Sequence, residues 1–464
     1  MFRTICDQVP RDRDYPERTR TLDILRRVLA GTIYDGLPYE FHEERTSGGE
    51  YIPLRYRRPS VRYALARIVV EDSVGLLFSE SHFPKIECTD AATRDAIAAI
   101  VRTAKLNSVM VEAALRGSVG SVAILLRILR GRPFLDVMDT LYLTPAWDAL
   151  APDTLQYVTE RYKVSGAALA AMGYDIDDPD TIYWFTRRWD AEREIRYVPT
   201  PVGQIATAIE DDARSVRHGL GFVPIVWVRN LPGGDGVDGA CTFRAAIETS
   251  IEIDYQLSQA GRGLKYSSDP TLLIREPAGL DRTMVRGAAD ALVVSEKGDA
   301  KLLEIGGTAS QAVIEYVRTL REFALESVHG NRADANRLTA PASGRALELM
   351  NQGLLWLADN LRISYGQGAL VPLLRMVLRA SGTYGLHMDG QIFADCDADC
   401  PIALQWPDWY PTDSADRQRD ARTVIDLVSA RQMSRQTAMR ALAPEFGITD
   451  IQAELARIQA EQAI

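Results

Sequence analysis

Phe243-Arg-Ala-Ala-Ile-Glu-Thr-Ser-Ile-Glu-Ile-Asp-Tyr-Gln-Leu257 opens a helical pattern whose counterpart lies further along the chain, at Ser310 to Ser327. In the first, Phe243, Ile247, Ile251 and Leu257 form a narrow apolar stripe set against Glu248, Glu252 and Asp254. In the second, Val313, Ile314, Val317, Leu320 and Phe323 recur at helical spacing. A narrow stripe packs one face and leaves the other to solvent or to a neighbouring subunit. Between the two helices lie short strand patterns, Thr271-Leu-Leu-Ile274, Ala291-Leu-Val-Val294 and Lys301-Leu-Leu-Glu-Ile305. Lys297-Gly-Asp299 is predicted as a hairpin turn joining the last two. A polar loop, Val328 to Pro341, carries Arg332 and Arg337 into a helical pattern running from Ser343, its predicted N-cap, to Arg379. At ~1.5 Å per residue such a helix is about 50 Å long, more than a compact monomer needs but useful for lining a channel in a ring.

Working outward, residues 1–70 are polar and rich in arginine interleaved with acids. Helical spacing follows in Val61–Phe78 and in Ala91–Leu129, where Gly117 and Gly120 bend or end the pattern. Pro133 to Trp227 reads as strands: Asp136–Thr144, Thr154–Tyr162, Thr181–Trp189, Glu194–Val198 and Phe222–Val228. Leu231-Pro-Gly-Gly-Asp-Gly-Val-Asp-Gly239 is a breaker and a domain boundary. Strands are predicted again at His387–Phe393 and Ile402–Trp406, and everything after Ser414 is helical in two or three segments. The fold class is α+β.

A chain of 464 residues, 46% hydrophobic, can bury large cores and should hold two to four domains. Its net charge of −10 argues against wrapping nucleic acid on a broad basic face, though not against loose, sliding contact. Cys6, Cys88, Cys241, Cys396 and Cys400 are an odd, scattered set that fits a reducing compartment better than a disulfide framework. The N-terminus, with Asp7, Asp12, Asp14 and Glu17, lacks the apolar core of a signal peptide. The most apolar window, Val119–Leu129, is interrupted by Arg127 and falls short of the ~20 residues that span a bilayer. These features lead us to expect a soluble intracellular protein.

Two motifs invite a chemical reading. Gly234-Asp-Gly-Val-Asp-Gly239 is a literal G-x-G-x-x-G, but Asp235 and Asp238 would face a bound pyrophosphate, and no βαβ unit follows. A flexible surface linker is the expectation. His387, Asp389, Asp395, Cys396, Asp397, Asp399 and Cys400 form the densest group of potential metal ligands, with a C-x3-C pair that matches no zinc-ribbon spacing. A metal-dependent enzyme built on His387–Cys400 is the alternative from another class. No P-loop, H-E-x-x-H or G-x-S-x-G is present. The expectation is a non-enzyme with no catalytic, cofactor-binding or metal residue and no cofactor.

The order of the segments resembles the portal proteins of tailed bacteriophages, specifically the headful-packaging siphophage type. Four stretches carry the resemblance. Tyr63–Glu80 is similar to the family's early wing helix, and Gly219-Leu-Gly-Phe-Val-Pro-Ile-Val-Trp-Val-Arg-Asn230 to its glycine-then-Pro-Val strand before the stem. Ala342-Ser-Gly-Arg-Ala-Leu-Glu-Leu-Met350, running on to Leu378, resembles the Ser-Gly-x-Ala-Leu opening of the long helix after the tunnel loop. Trp406-Pro-Asp-Trp-Tyr-Pro-Thr-Asp413 with Val428–Ala438 is similar to the family's ending.

The resemblance implies a wing at 1–240, stem helices at 241–262 and 309–327, and a small β-containing clip at 263–308. It further implies a tunnel loop at 328–341, a long kinked helix with returning wing strands at 342–412, and an α-helical crown at 413–464. It implies a dodecameric ring at one capsid vertex, the channel for DNA packaging and ejection. The implied partners are the terminase large subunit, a head-completion adaptor, the major capsid and scaffolding proteins, and double-stranded DNA passing non-specifically, with no membrane. The implied location is the virion, with host cytoplasm during assembly. Arg332, Arg337 and Arg345 fall where the resemblance puts loops nearest the duplex, and would touch backbone phosphates weakly.

Overall fold

Gly117 closes the helical run that begins at Ala91, and the apolar window after it is a strand. The computed structural model describes the chain except residues 205–207, 269–270, 278–293, 304–307, 332–347, 411–413, 444–447, 449–450 and 463–464. It divides into two compact units, Met1–Asn331 with Trp356–Trp406, and Arg332–Leu355 with Pro407–Ile464.

The larger unit begins with α1 (Phe2–Gln8), α2 (Glu17–Ala30), α3 (Leu65–Phe78), α4 (Ala91–Thr103) and α5 (Leu106–Gly117). Asp90 caps α4 by accepting the Thr93 N–H at 2.7 Å. Two short strands, β1 (Tyr39–Glu40) and β2 (Arg57–Arg58), pair in parallel. β3 (Lys85–Cys88) is matched much later in the chain.

Two antiparallel sheets follow. β4 (Ser121–Leu129), β5 (Arg132–Asp139) and, after β6 to β11, β12 (Ile225–Arg229) form an inner sheet in the order β12-β4-β5. The outer sheet is a meander of β6 (Leu143–Trp147), β7 (Leu155–Ser165), β8 (Ile182–Trp189), β9 (Arg193–Arg196), β10 (Thr200–Pro201) and β11 (Val216–Arg217). α6 (Gly166–Ala171) caps one end of β7. Asp136–Thr144, read as one strand, is instead β5, a 3₁₀ turn at Thr140–Tyr142 and the start of β6. Ala123, Leu125, Leu143, Val158, Trp189, Ile225 and Trp227 make the core between the sheets. β4 is central and its first six residues are buried, which is why a continuous apolar run there carries no strand alternation.

α7 (Ile247–Ser268) and α8 (Thr308–Ser327) flank an antiparallel ribbon of β13 (Thr271–Pro277) and β14 (Val294–Leu303). β14 runs unbroken through Lys297-Gly-Asp299, so the predicted turn there is wrong. The ladder pairs Arg275 with Asp299 and Ile274 with Ala300, carrying the segment straight.

The long helical pattern is realised as α9 (Gln352–Leu361), a π-helical stretch at Arg362–Leu370 and α10 (Val371–Ser381). Pro372 cannot donate to the carbonyl four residues back, so the α register is broken there. Gly366 sits where Trp406 packs, and a Cβ there would approach the indole to 2.8 Å. β15 (Leu386–Met388) pairs β16 (Gln391–Phe393), and β17 (Ile402–Gln405) pairs β3. In the smaller unit α11 (Ser414–Ser429), α12 (Arg435–Leu442) and α13 (Ile451–Gln462) follow in turn, and Ser434 caps α12 through the Thr437 N–H.

Candidate functional site

The candidate site is the paired helices α7 and α8 with their β ribbon. α7 has 22 residues and α8 has 20, so each is about 30 Å long. The two pack on one another, with Ile253 and Leu257 of α7 meeting Val317, Leu320, Ala324 and Leu325 of α8. Leu65 and Val69 of α3 close the same cluster, so the body grips the pair at this end.

Burial falls along both helices. Ile253, Asp254 and Tyr255 are all buried at consecutive positions, which encloses α7 on every side. From Gln259 onward its described residues are half-buried or exposed. α8 runs the other way, exposed or half-buried from Gln311 to Thr319 and buried at Ala324 and Leu325. The pair is therefore rooted at the start of α7 and the end of α8. Its free end carries β13 and β14, by chain continuity.

A polar clamp fixes the root. Asp254 accepts the Tyr34 hydroxyl at 2.6 Å and the Tyr63 N–H at 2.7 Å. The Ser258 hydroxyl accepts the Val61 N–H at 3.0 Å, and Tyr255 donates to the Arg57 carbonyl at 2.7 Å. Burial pushes the Asp254 carboxyl above its usual range, and the Tyr34 and Tyr255 hydroxyls above theirs. The sequence reading set Asp254 on the polar face of its helix, whereas it faces the N-terminal segment and is 4% exposed. No sequence signal marks Tyr34 as its partner.

Along the projecting part, Leu264, Ile314 and Tyr316 are 43–49% exposed, and Phe323, beside the root, is 61% exposed. Such a run of large apolar side chains on one projecting element is a surface fit for burial against another chain.

Arg332, Arg337 and Arg345 lie outside the described residues, as does most of the loop that holds them. The His387–Cys400 group is dispersed. Cys400 forms a disulfide with Cys88, Asp389 pairs with Arg102 at 2.7 Å, and Asp399 pairs with Arg379 at 3.6 Å. Among the described residues no three His, Cys, Asp or Glu side chains converge as a metal site. The disulfide also corrects the expectation of unpaired thiols: Cys88 opposes Ile402 in the β3–β17 ladder, which brings it beside Cys400.

The glycine loop is not a flexible linker. Asp235 folds it by accepting the N–H groups of Val237 and Asp238, and those bonds hold its carboxyl below the usual range. Asp238 accepts a bidentate pair from Arg18 of α2 at 2.6 and 2.8 Å, and a third bond from Ser121. A Cβ on Gly234 would overlap the Asp238 carbonyl, so the glycine there answers a close backbone approach within the loop and leaves no cradle for a phosphate. No described helix is long and apolar enough to cross a membrane.

No protein-family model matches the chain, and no curated protein matches it. Among solved structures, a chain of the neck of a native GTA particle, computed with C12 symmetry, is similar over 91% of this chain and 92% of that one, at 11% identity and a TM-score of 0.39.

Proposed function

We propose that this chain is a portal subunit, closing into a dodecameric ring at one vertex of a virion and acting as a structural conduit for DNA packaging and ejection. The observation that carries the reading is the helix pair. It is rooted in the body, projects with a β ribbon at its tip, and exposes Leu264, Ile314, Tyr316 and Phe323 along its length. In a closed heterologous ring each such face meets the next subunit, and the ribbons gather at one end of a channel. The segment order that resembles tailed-phage portals supports the same reading, as does an acidic chain that would not grip passing phosphates.

On this reading the ribbon seats the head-completion adaptor, and the terminase large subunit docks on the ring and supplies the ATP hydrolysis. Capsid and scaffolding proteins meet the outer body. Arg332, Arg337 and Arg345 are the proposed contacts to DNA backbone phosphates, weak and without sequence preference. The chain itself performs no catalysis and needs no cofactor.

Light scattering after gel filtration, with negative-stain images of the same peak, tests the proposal. A closed ring with a central hole is the expected result, and Phe323→Asp should lower the ring fraction. A stable monomer or dimer at high concentration carrying a stoichiometric metal would overturn it in favour of an enzyme.

A further inference from the structure

The hairpin that joins β6 to β7 ends in Asp148-Ala-Leu-Ala-Pro-Asp153. Hairpin tips are ordinarily polar, because they face water. This one is apolar between two aspartates: Leu150 is 97% exposed, and Ala149 and Pro152 are exposed beside it. At that exposure the Leu150 side chain packs on nothing in its own chain. The tip is nevertheless held in shape. Asp148 accepts the Leu150 and Ala151 N–H groups at 2.7 and 3.2 Å, and its own N–H donates to the Thr154 carbonyl at 2.9 Å. A knob fixed in this way loses little conformational freedom on docking.

A socket of complementary chemistry lies on the same body. Between the β4–β5 hairpin and β11 opens a cleft of about 740 Å³, with Leu129, Phe134 and Val216 among its lining and each 40–64% exposed. Three cations stand with these apolar side chains. Arg130 follows Leu129 in the two-residue turn after β4, Arg132 lies over the Phe134 ring at 5.8 Å, and Arg217 lines the cleft next to Val216. All three are exposed, and none has a carboxylate partner among the described residues. Apolar surface among unmatched guanidinium groups fits an apolar segment bracketed by carboxylates, which is the composition of the β6–β7 tip.

We infer that the 149–152 tip of one copy of this chain seats in the mouth of that cleft on the next copy. Leu150 covers Leu129, Phe134 and Val216, while Asp148 and Asp153 meet Arg130, Arg132 and Arg217. The two patches differ, so the contact is heterologous and repeats from subunit to subunit until it closes. The inference rests on the ring reading only in requiring that copies of the chain associate.

The test combines Leu150→Cys with Leu129→Cys in the full chain and treats it with a short bis-maleimide, alongside each single variant and the unaltered chain as controls for Cys6, Cys241 and Cys396. Denaturing gels should show cross-linked multimers from the double variant, about tenfold or more above either single one. In the chain without added cysteines, Leu150→Arg should weaken association about tenfold or more in sedimentation velocity, since it places a cation against three others. Both positions are exposed, so the variants should fold, and circular dichroism checks this. Rings in negative stain without the cross-link, or with association unchanged by Leu150→Arg, would overturn the inference, leave the ring reading standing and assign the tip to a different partner. Cross-linking with sensitivity to Leu150→Arg but no closed ring would keep the inference and remove the ring. A chain that stays single at high concentration would overturn both.

Discussion

Tyr34 donates its hydroxyl to Asp254 at 2.6 Å, joining the N-terminal segment to the first of the paired helices across 220 residues of chain. The bond sits where α7 is enclosed on all sides, so the direction in which the pair leaves the body depends on it. Asp254 also holds the Tyr63 N–H, one turn before α3, and α3 in turn packs against α8. One carboxylate thus ties three parts of the chain to the same point.

Removing that carboxylate should be expensive. Asp254→Ala leaves a buried hydroxyl and a buried N–H without an acceptor, and we expect a loss of about 2–4 kcal/mol in urea unfolding. Asp254→Asn, which can still bond both partners, should cost far less. The pH response has a definite sign. The folded carboxyl titrates above its ordinary 3.8, so its contribution is most favourable below that value and is lost as pH climbs through the raised folded value. The stability gap between wild type and Asp254→Asn should therefore move in favour of the asparagine as pH rises from about 4 to 7. A gap that stays constant with pH would show that Asp254 ionises freely.

The Cys88–Cys400 bridge makes a countable prediction. Iodoacetamide applied under denaturing, non-reducing conditions should label Cys6, Cys241 and Cys396 only, and all five cysteines after reduction. Reduction of the folded protein should lower its stability by about 2–5 kcal/mol, because the bridge closes a very long loop of the unfolded chain. Five adducts without reduction would show that the bridge does not form.

Local periodicity made part of this fold legible. The stripe of Phe243, Ile247 and Ile251 on α7, the Thr- and Tyr-rich strands from Leu155 to Trp189, and the helices after Ser414 all report a face that repeats at 3.6 or 2 residues. Ser121–Leu129 reads as part of the helical pattern that begins at Ala91 and is a strand, because a central strand buried on both faces has no polar face to reveal its period. Asp254, Asp238 and Cys400 were misread for a different reason. Each owes its role to a partner more than 200 residues away, and nothing in its immediate neighbours encodes that pairing. A glycine loop held by Arg18 and a C-x3-C pair with one sulfur already bonded both look like ligand sites until the distant residue arrives.

Tyr365 offers a test of close packing. Its hydroxyl, fully buried, donates to Asn230 at 3.0 Å, and Asn230 donates in turn to the Ala240 carbonyl at 2.8 Å and the Thr242 hydroxyl at 2.9 Å. A Cβ on Gly117 would overlap that same hydroxyl. Tyr365→Phe should cost about 1–2 kcal/mol by leaving the Asn230 oxygen without a donor, and Gly117→Ala should cost at least as much through the clash. Together they should be less than additive, because deleting the hydroxyl frees part of the space the methyl needs. Strict additivity in a double-mutant cycle would mean that the two residues do not touch.

Arg18 and Asp238 supply the sharpest contrast between substitutions. The guanidinium makes two bonds to the carboxylate, two more to the carbonyls of Thr140 and Leu143 at 3.0 and 2.9 Å, and lies over the Trp227 ring. Both side chains are largely shielded, at 21% and 12% exposure, so the pair is only weakly screened. Asp238→Ala strands that cation and should cost about 3–5 kcal/mol. Arg18→Lys should not rescue the wild-type stability, since an ammonium cannot fork to the carboxylate while reaching two carbonyls. Replacing both by apolar residues, Arg18→Met with Asp238→Leu, should cost less than Asp238→Ala alone, because no buried charge is then left unpaired. If urea unfolding instead placed the double variant below the single one, the Arg18 bonds to the Thr140 and Leu143 carbonyls, kept in Asp238→Ala and lost in the double variant, would outweigh the cost of the unpaired charge.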